Sequence, residues 1–195
     1  MNIARVARTA RAVGAVATSL ALCACASVTL PPASASGDVV MSLRAANAAA
    51  MNAGTFVVAP GQSPDMDASL PGLRGSSLRA PGGSFTGYLA DAITADLKAS
   101  GLYDPAAAIV ISGELTESQV DAAIGTGTAH LGARMKVRKA GVMVYDRTFA
   151  VSDQWDSSFI GAIAIPEAMN RYTALYQKLA QKMFDDPEFR RAVAR

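Results

Sequence analysis

Arg134, Lys136, Arg138 and Lys139 stand at alternate positions and then at a turn, the spacing that lines charges along one side of a strand. Such a row can hold phosphates or acidic side chains through charge-assisted hydrogen bonds. With Asp146 opposite Arg134 it can equally be a solvated strand whose charges protect a sheet edge. The other reactive side chains do not assemble into a catalytic pattern. His130 is the sole histidine, on the outer side of the same strand, with no serine or aspartate spacing that would complete a triad. Glu114, Glu117 and Asp121 could converge only if their strand twists or bulges, and Gly125 and Gly127 extend to no dinucleotide or phosphate-loop fingerprint. Met135 and Met169 fall on predicted core faces, so packing explains them better than copper binding. The residues therefore predict no cofactor, no metal and no enzyme.

The two cysteines carry a different chemistry. Arg5, Arg8 and Arg11 precede the apolar run Ala12 to Leu22, which is too short to span a bilayer and reads as a cleaved export signal. No later stretch is long and apolar enough to span either. Leu22-Cys23-Ala24-Cys25, at the end of that signal, resembles a lipobox, the signature of bacterial lipoproteins. The resemblance implies cleavage after Ala24 and acylation of Cys25, because a cut before Cys23 would follow Leu22 where a small residue is expected. Ala26, rather than Asp, implies sorting to the outer membrane. An ordinary secreted protein cut near Ala24 to Ala26 is the alternative. Two or more acyl chains give a stable anchor, since each buried methylene contributes about 0.8 kcal/mol.

Cleavage changes the charge balance. The whole chain has 18 basic and 16 acidic residues, and loss of the three leader arginines leaves 15 against 16. A nearly neutral chain is no electrostatic binder of nucleic acid. Loss of Cys23 and acylation of Cys25 would leave the mature chain without a thiol for a disulfide, a metal or a nucleophile.

Beyond the signal at 1–24, residues 25–54 are rich in Ala, Ser and Pro and read as a tether with at most one weak helix. A single domain is expected over 55–195, opening on a strand from Thr55 to Ala59 and followed by a mobile loop at 60–84 dense in Pro, Gly and Ser. Of the six Phe, five Tyr and one Trp, only Phe56 precedes Phe85, so the core must come mainly from the C-terminal portion. Phe85, Tyr88, Leu89, Ala92, Ile93 and Leu97 have helical spacing, between an N-cap at Ser84 and a stop at Gly101. A strand over Ala107 to Ala122 comes next, bulged or twisted in its polar half.

Ala129, Leu131, Ala133, Met135 and Val137 then alternate with polar residues. A three-residue turn, Lys139-Ala140-Gly141, would pair Val137 with Met143, Met135 with Tyr145, Leu131 with Phe149 and Arg134 with Asp146. The stretch from Trp155 to Ala168 reads as a small apolar loop that either closes the core or forms a patch for a partner or an acyl chain, with Trp155 and Phe159 as its contacts. Pro166 is placed to begin a helix with the stripe Met169, Tyr172, Tyr176, Leu179 and Met183, and Asp186-Pro187 to cap a short last one. The resulting expectation is an α+β fold in which two helices pack on one face of a small, mostly antiparallel sheet, in the order strand-helix-strand-strand-strand-helix.

The Trp155–Ala168 stretch, with Tyr172, Leu175, Leu179, Phe184-Asp185 and Phe189, resembles a pattern in small proteobacterial outer-membrane lipoproteins of an uncharacterised family. In element order the chain also looks like lipopolysaccharide-assembly lipoproteins and the auxiliary lipoproteins of envelope ABC transporters. These likenesses imply a lipid-anchored, periplasm-facing protein of the outer membrane that binds an envelope protein partner or anionic lipid during assembly or transport. The binding residues expected from the sequence are Lys136, Arg138, Lys139, Trp155 and Phe159. The alternative is a structural accessory subunit of a secretion or surface-appendage complex. A hydrolase of envelope polymers ranks last, for want of a nucleophile.

Overall fold

The computed structural model describes residues 26–195, so the signal and Cys25 lie outside the described residues. The main sheet has four strands, β2 (Met51–Val58), β5 (Ile109–Asp121), β6 (Gly125–Lys139) and β7 (Val142–Ser157), ordered β2-β5-β6-β7. β2 runs parallel to β5 and the other pairs are antiparallel. One face is covered by α3 (Phe85–Ser100) and α4 (Gly161–Asp185), with α1 (Gly37–Ala45) laid across both. The α+β expectation holds in this architecture. A short terminal helix, α5 (Pro187–Val193), closes the core below Tyr145.

The alternation of β6 buries Ala129, Leu131, Ala133, Met135 and Val137 against the helices, and the stripe of α4 buries Tyr172, Tyr176, Leu179 and Met183. Ser84 caps α3 by accepting from the Gly87 N–H at 2.9 Å, and Gly101 ends it in the left-handed conformation at φ 79°. Asp186 caps α5 through the Glu188 amide at 2.7 Å. α4 begins at Gly161 rather than Pro166: so near the start of the helix, the proline removes a single i→i−4 bond and the preceding turn still forms.

The tether expected over 25–54 is overturned for the described part. β1 (Ser27–Thr29), α1 and the first half of β2 are built from it, and Leu30, Val39, Leu43, Ala48 and Met51 are buried. Few large side chains are needed, because the segment fills gaps between elements that already carry the aromatic residues. The loop expected at 60–84 is likewise ordered: α2 (Asp65–Ala68), β3 (Leu70–Leu73) and β4 (Ser76–Arg79) bury Leu70, Leu73 and Leu78. β3, β4 and β1 form a second small sheet, ordered β1-β4-β3, in which β1 runs parallel to β4.

The β6–β7 register also differs from expectation. Lys139 pairs with Val142 across a two-residue turn, Ala140-Gly141, in which both residues have positive φ, the geometry that matches strand twist. One bulged residue, Val144, then shifts the pairing, so that Val137 faces Tyr145, Met135 faces Arg147 and Arg134 faces Thr148. The net slip is two residues, which keeps the side chains from Tyr145 onward on their expected face and leaves Met143, before the bulge, on the outer one.

Asp96 of α3 is 2% exposed and accepts the Ser36 N–H at 2.8 Å, fastening the start of α1 to α3. Burial raises its pKa to about 6, partly offset by that hydrogen bond. With the folded value raised above the ordinary 3.8, the native state holds the proton more tightly. The resulting stability is full below pH 3.8 and is lost as pH rises through about 6. Asp96→Asn keeps an acceptor for Ser36 without the buried charge. It should raise the unfolding free energy at pH 8 by roughly 1–3 kcal/mol, with the gain vanishing near pH 4 in a pH series of thermal melts.

Candidate functional site

The uncovered face of the main sheet carries the polar residues of β5, β6 and β7. A bulge at Thr116 of β5 decides which they are: it reverses the parity of the strand, keeping Glu117 and Asp121 outside and turning Ser118 and Val120 inward. The three carboxylates of β5 therefore share the outer face without converging, and Glu114 and Glu117 have separate partners. Glu114 lies between Lys136, with which it makes a close ion pair, and Arg134 at 3.8 Å. Glu117 is 4.0 Å from His130. Arg134 forks onto Asp146 with two bonds of 2.7 Å, reaching diagonally because of the register slip, and holds that carboxyl below its usual range.

The basic row is thus divided. Arg134 and Lys136 are spent on Glu114 and Asp146. Arg138 donates to the Gly141 carbonyl at 2.9 Å and Lys139 reaches the Ala194 carbonyl at 3.5 Å, so neither has a carboxylate partner among the described residues. Beside them Val142, Met143 and Val144 are exposed, and a hollow of about 240 Å³ opens among Thr55, Val57, Glu114, Lys136, Arg138 and Met143. This hairpin tip, cationic and apolar together, holds Arg138 and Lys139, two of the residues that the sequence singled out through their charges. What the sequence missed was Met143, read as core-facing opposite Val137 and set outward by the bulge.

Trp155 and Phe159 do not act together. Trp155 belongs to β7, is 6% exposed, and lies on Gly127, where an added Cβ would stand 2.3 Å from its ring. It is a core residue with the Arg171 guanidinium 6.0 Å from its ring centroid. Trp155 is therefore removed from the binding surface expected of it. Phe159 is 76% exposed in the link between β7 and α4, near Ile160 and Ile163.

A buried hydroxyl chain crosses the core. Ser118 meets the Tyr172 hydroxyl at 2.6 Å, which meets that of Tyr176 at 3.1 Å. Burial pushes the Tyr172 phenol up to about 12, against the opposing effect of its two hydrogen bonds, so it keeps its proton at neutral pH. Tyr172 and Tyr176 also make edge-to-face contacts with Phe85 and Tyr88, at 5.8 and 4.8 Å between centroids. Contacts of this kind contribute about 0.5–1.5 kcal/mol each. Two open hollows complete the surface. One of about 620 Å³ lies between the free edge of β7 and α4, and one of about 560 Å³ lies between β3 and the outer residues Gln119, Asp121, Thr128 and His130. Among the described residues no group of three His, Cys, Asp or Glu side chains is placed to hold a metal ion. No helix among them is long and apolar enough to cross a membrane.

The sequence matches no protein-family model, and a search of curated proteins finds no match. In fold the chain is similar to a Xanthomonas campestris protein of the DUF330 family, at 14% identity and a TM-score of 0.53, over 81% of this chain and 94% of that one. A candidate lipoprotein from Caulobacter crescentus aligns at 16% identity and a TM-score of 0.43, over 75% and 89%. A minor lipoprotein from Acinetobacter baumannii aligns at 13% and 0.41, over 70% and 91%. The first likeness is one of fold alone.

The contact between Trp155 and Gly127 is open to test. Gly127→Ala should lower the unfolding free energy by about 1–3 kcal/mol, because an indole fixed in a packed core has nowhere to move. Gly161→Ala, whose Cβ would meet nothing within 4 Å, should be neutral or stabilising in the same urea titration. The emission of Trp155 should resist quenching by iodide in the parent.

Proposed function

We propose that the protein is a non-enzymatic lipoprotein of the outer membrane, anchored through Cys25 and facing the periplasm, that holds the tip of the β6–β7 hairpin out to a protein partner of the cell envelope. The observation that carries this reading is how soon after the lipobox cysteine the fold begins. The Ala26 carbonyl accepts the Ser77 N–H at 3.0 Å, so the chain is in the sheet from the first residue after the lipobox cysteine. β1 starts beside the start of β4, and the adjoining β3–β4 turn is fastened to the end of β5 and the end of β7. The hairpin tip is at the other end of β6, roughly 45 Å away at about 3.3 Å per residue. An anchor at Cys25 then keeps Arg138 and Lys139 away from the headgroups of its own leaflet, which favours an acidic protein surface over anionic lipid.

The non-enzymatic reading is supported by the state of the hydroxyls. Ser118 is 4% exposed, and the tyrosine beside it keeps its proton, so the pair has no base to activate a nucleophile. A second reading, a structural accessory subunit of an appendage or secretion complex, is favoured by the 16-residue edge of β7, which has no further strand partner among the described residues. Lys182 covers part of that edge by donating to the Ala150 carbonyl at 3.1 Å.

A photo-crosslinking residue at Val142 in the full chain, in cells, should give an adduct of one defined mass with an envelope protein. Arg138→Gln with Lys139→Gln should reduce its yield about tenfold, while the thermal midpoint hardly moves. An adduct formed from Ser152 on the β7 edge, and none from Val142, would favour the accessory subunit. An adduct at Val142 indifferent to both charges would remove the basic residues from the site.

A further inference from the structure

One end of the molecule gathers the termini of seven elements. The end of β5, the start of β6, the end of β7, the start of α4, the β3–β4 turn and the start of β1 all meet there. Arg74, in the β3–β4 turn, joins them. Its Nε donates to the Ala122 carbonyl at 2.7 Å, its Nη1 to the Phe159 carbonyl at 2.8 Å, and its Nη2 to Ser158 and to the Ser157 hydroxyl.

The side chains displayed around that clasp are apolar. Ile124 is 73% exposed, Phe159 76%, Ile163 54% and Ile160 44%. They come from two connections that are neighbours in space, since Gly125 pairs with Ser157. Large apolar residues exposed together mark a contact surface, and single ones need no explanation. Thr126, Ser157 and Ser158 nearby are uncharged and Asp156, opposite Thr126, is an exposed carboxylate that anionic headgroups would repel, so the attraction this end offers a bilayer is apolar rather than ionic.

We infer that this end is the face that lies on the membrane, with Phe159, Ile124 and Ile163 inserted among the acyl chains beside the lipid on Cys25. The inference rests on the lipoprotein reading. Its argument is the length of chain between anchor and fold: Cys25 is one Cα step, about 3.8 Å, from Ala26, which is already held to Ser77. With no slack to let the domain drift, whatever surrounds β1 must sit at the bilayer, and what surrounds it is this apolar end. The anchor and the patch act as two signals on one surface, so the long axis of the sheet stands away from the membrane and the hairpin tip is its far end.

The mature chain offers a clean assay, because acylation of Cys25 and loss of Cys23 leave no thiol, and an introduced cysteine is unique. Full-length protein, matured in cells, would be reconstituted in vesicles of phosphatidylethanolamine and phosphatidylglycerol. An environment-sensitive dye would be attached through Phe159→Cys, Ile163→Cys or Val142→Cys; all three positions are exposed, so the fold should tolerate them. The expected result is blue-shifted emission at Phe159→Cys and Ile163→Cys, quenched at least twofold by a nitroxide on the lipid chains and little by iodide. Val142→Cys should show the reverse.

Mass spectrometry of the N-terminal peptide separates the failures. An unmodified Cys25 overturns the lipoprotein reading and this inference with it. A fully acylated protein with Phe159→Cys as open to iodide as Val142→Cys overturns the inference alone. Shielding from iodide without quenching by the lipid nitroxide would assign the patch to a second copy of the chain, and also overturns it.

Discussion

The guanidinium of Arg74 is the constraint on which the arrangement of this protein depends. Its bonds run to backbone carbonyls and one hydroxyl, with no carboxylate among the described residues, so its role is geometric rather than ionic. A planar fork with several fixed donors can tie three chain segments at once where a lysine would supply a single point charge. Through it the small sheet β1-β4-β3 is fastened to the end of the large one. Gly72 allows the same approach from the other side: at φ 109° its missing Cβ would stand 2.0 Å from the Val120 carbonyl, and the Ala122 N–H donates to the Gly72 carbonyl at 2.8 Å. These polar contacts add direction to the apolar tie that buried Leu30, Leu70, Leu73 and Leu78 already give the small sheet.

What the sequence disclosed divides along a physical line. Features set by neighbours in the chain were legible. The cap at Ser84, the stop at Gly101, the alternation of β6 and the stripe of α4 each depend on spacings of two to four residues. Features set by distant neighbours were not. β1 is three residues long and β2 pairs in parallel with β5, more than fifty residues on, so nothing local marks either. The alanines of 45–53 looked like a tether because a tether and a close-packed filler share a composition; the large residues that Ala48 and Met51 meet lie in other elements. The β6–β7 register erred by an even number beyond the bulge, which explains why the faces were right from Tyr145 onward while the partners were wrong. A turn with two residues at positive φ normally calls for Asn-Gly or Gly-Gly, and Ala140 hides it.

The candidate site shows the same division. Counting charges along β6 found a basic row, but the count could not show that Glu114 sits between two of its members. That placement comes from cross-strand pairing, which sets Glu114 opposite Arg134. The row therefore shrinks to Arg138 and Lys139 at the tip, beside Val142 and Val144, and gains Met143 from a bulge that no residue type announces. Trp155 moved the other way. A tryptophan followed by small residues suggested an exposed loop, yet a different small residue, Gly127 on the neighbouring strand, makes the slot in which the ring is buried.

The two ends of the sheet are then chemically unlike, and the difference follows from topology. Turns at one end join β5 to β6 and β7 to α4, and they carry Ile124, Phe159, Ile160 and Ile163 without a nearby cation other than Arg74, whose donors are already taken up. The β6–β7 turn at the other end, beside the connection that leads into β5, keeps Arg138 and Lys139 among exposed aliphatic residues. Antiparallel pairing forces these turns to opposite ends, so their separation is the length of β6 and cannot be altered by side-chain motion. A protein fixed to a surface at the first end would therefore present the second at a constant height. That height belongs to a hydrogen-bonded ladder of 15 residues rather than to a flexible linker whose reach would fluctuate with its length.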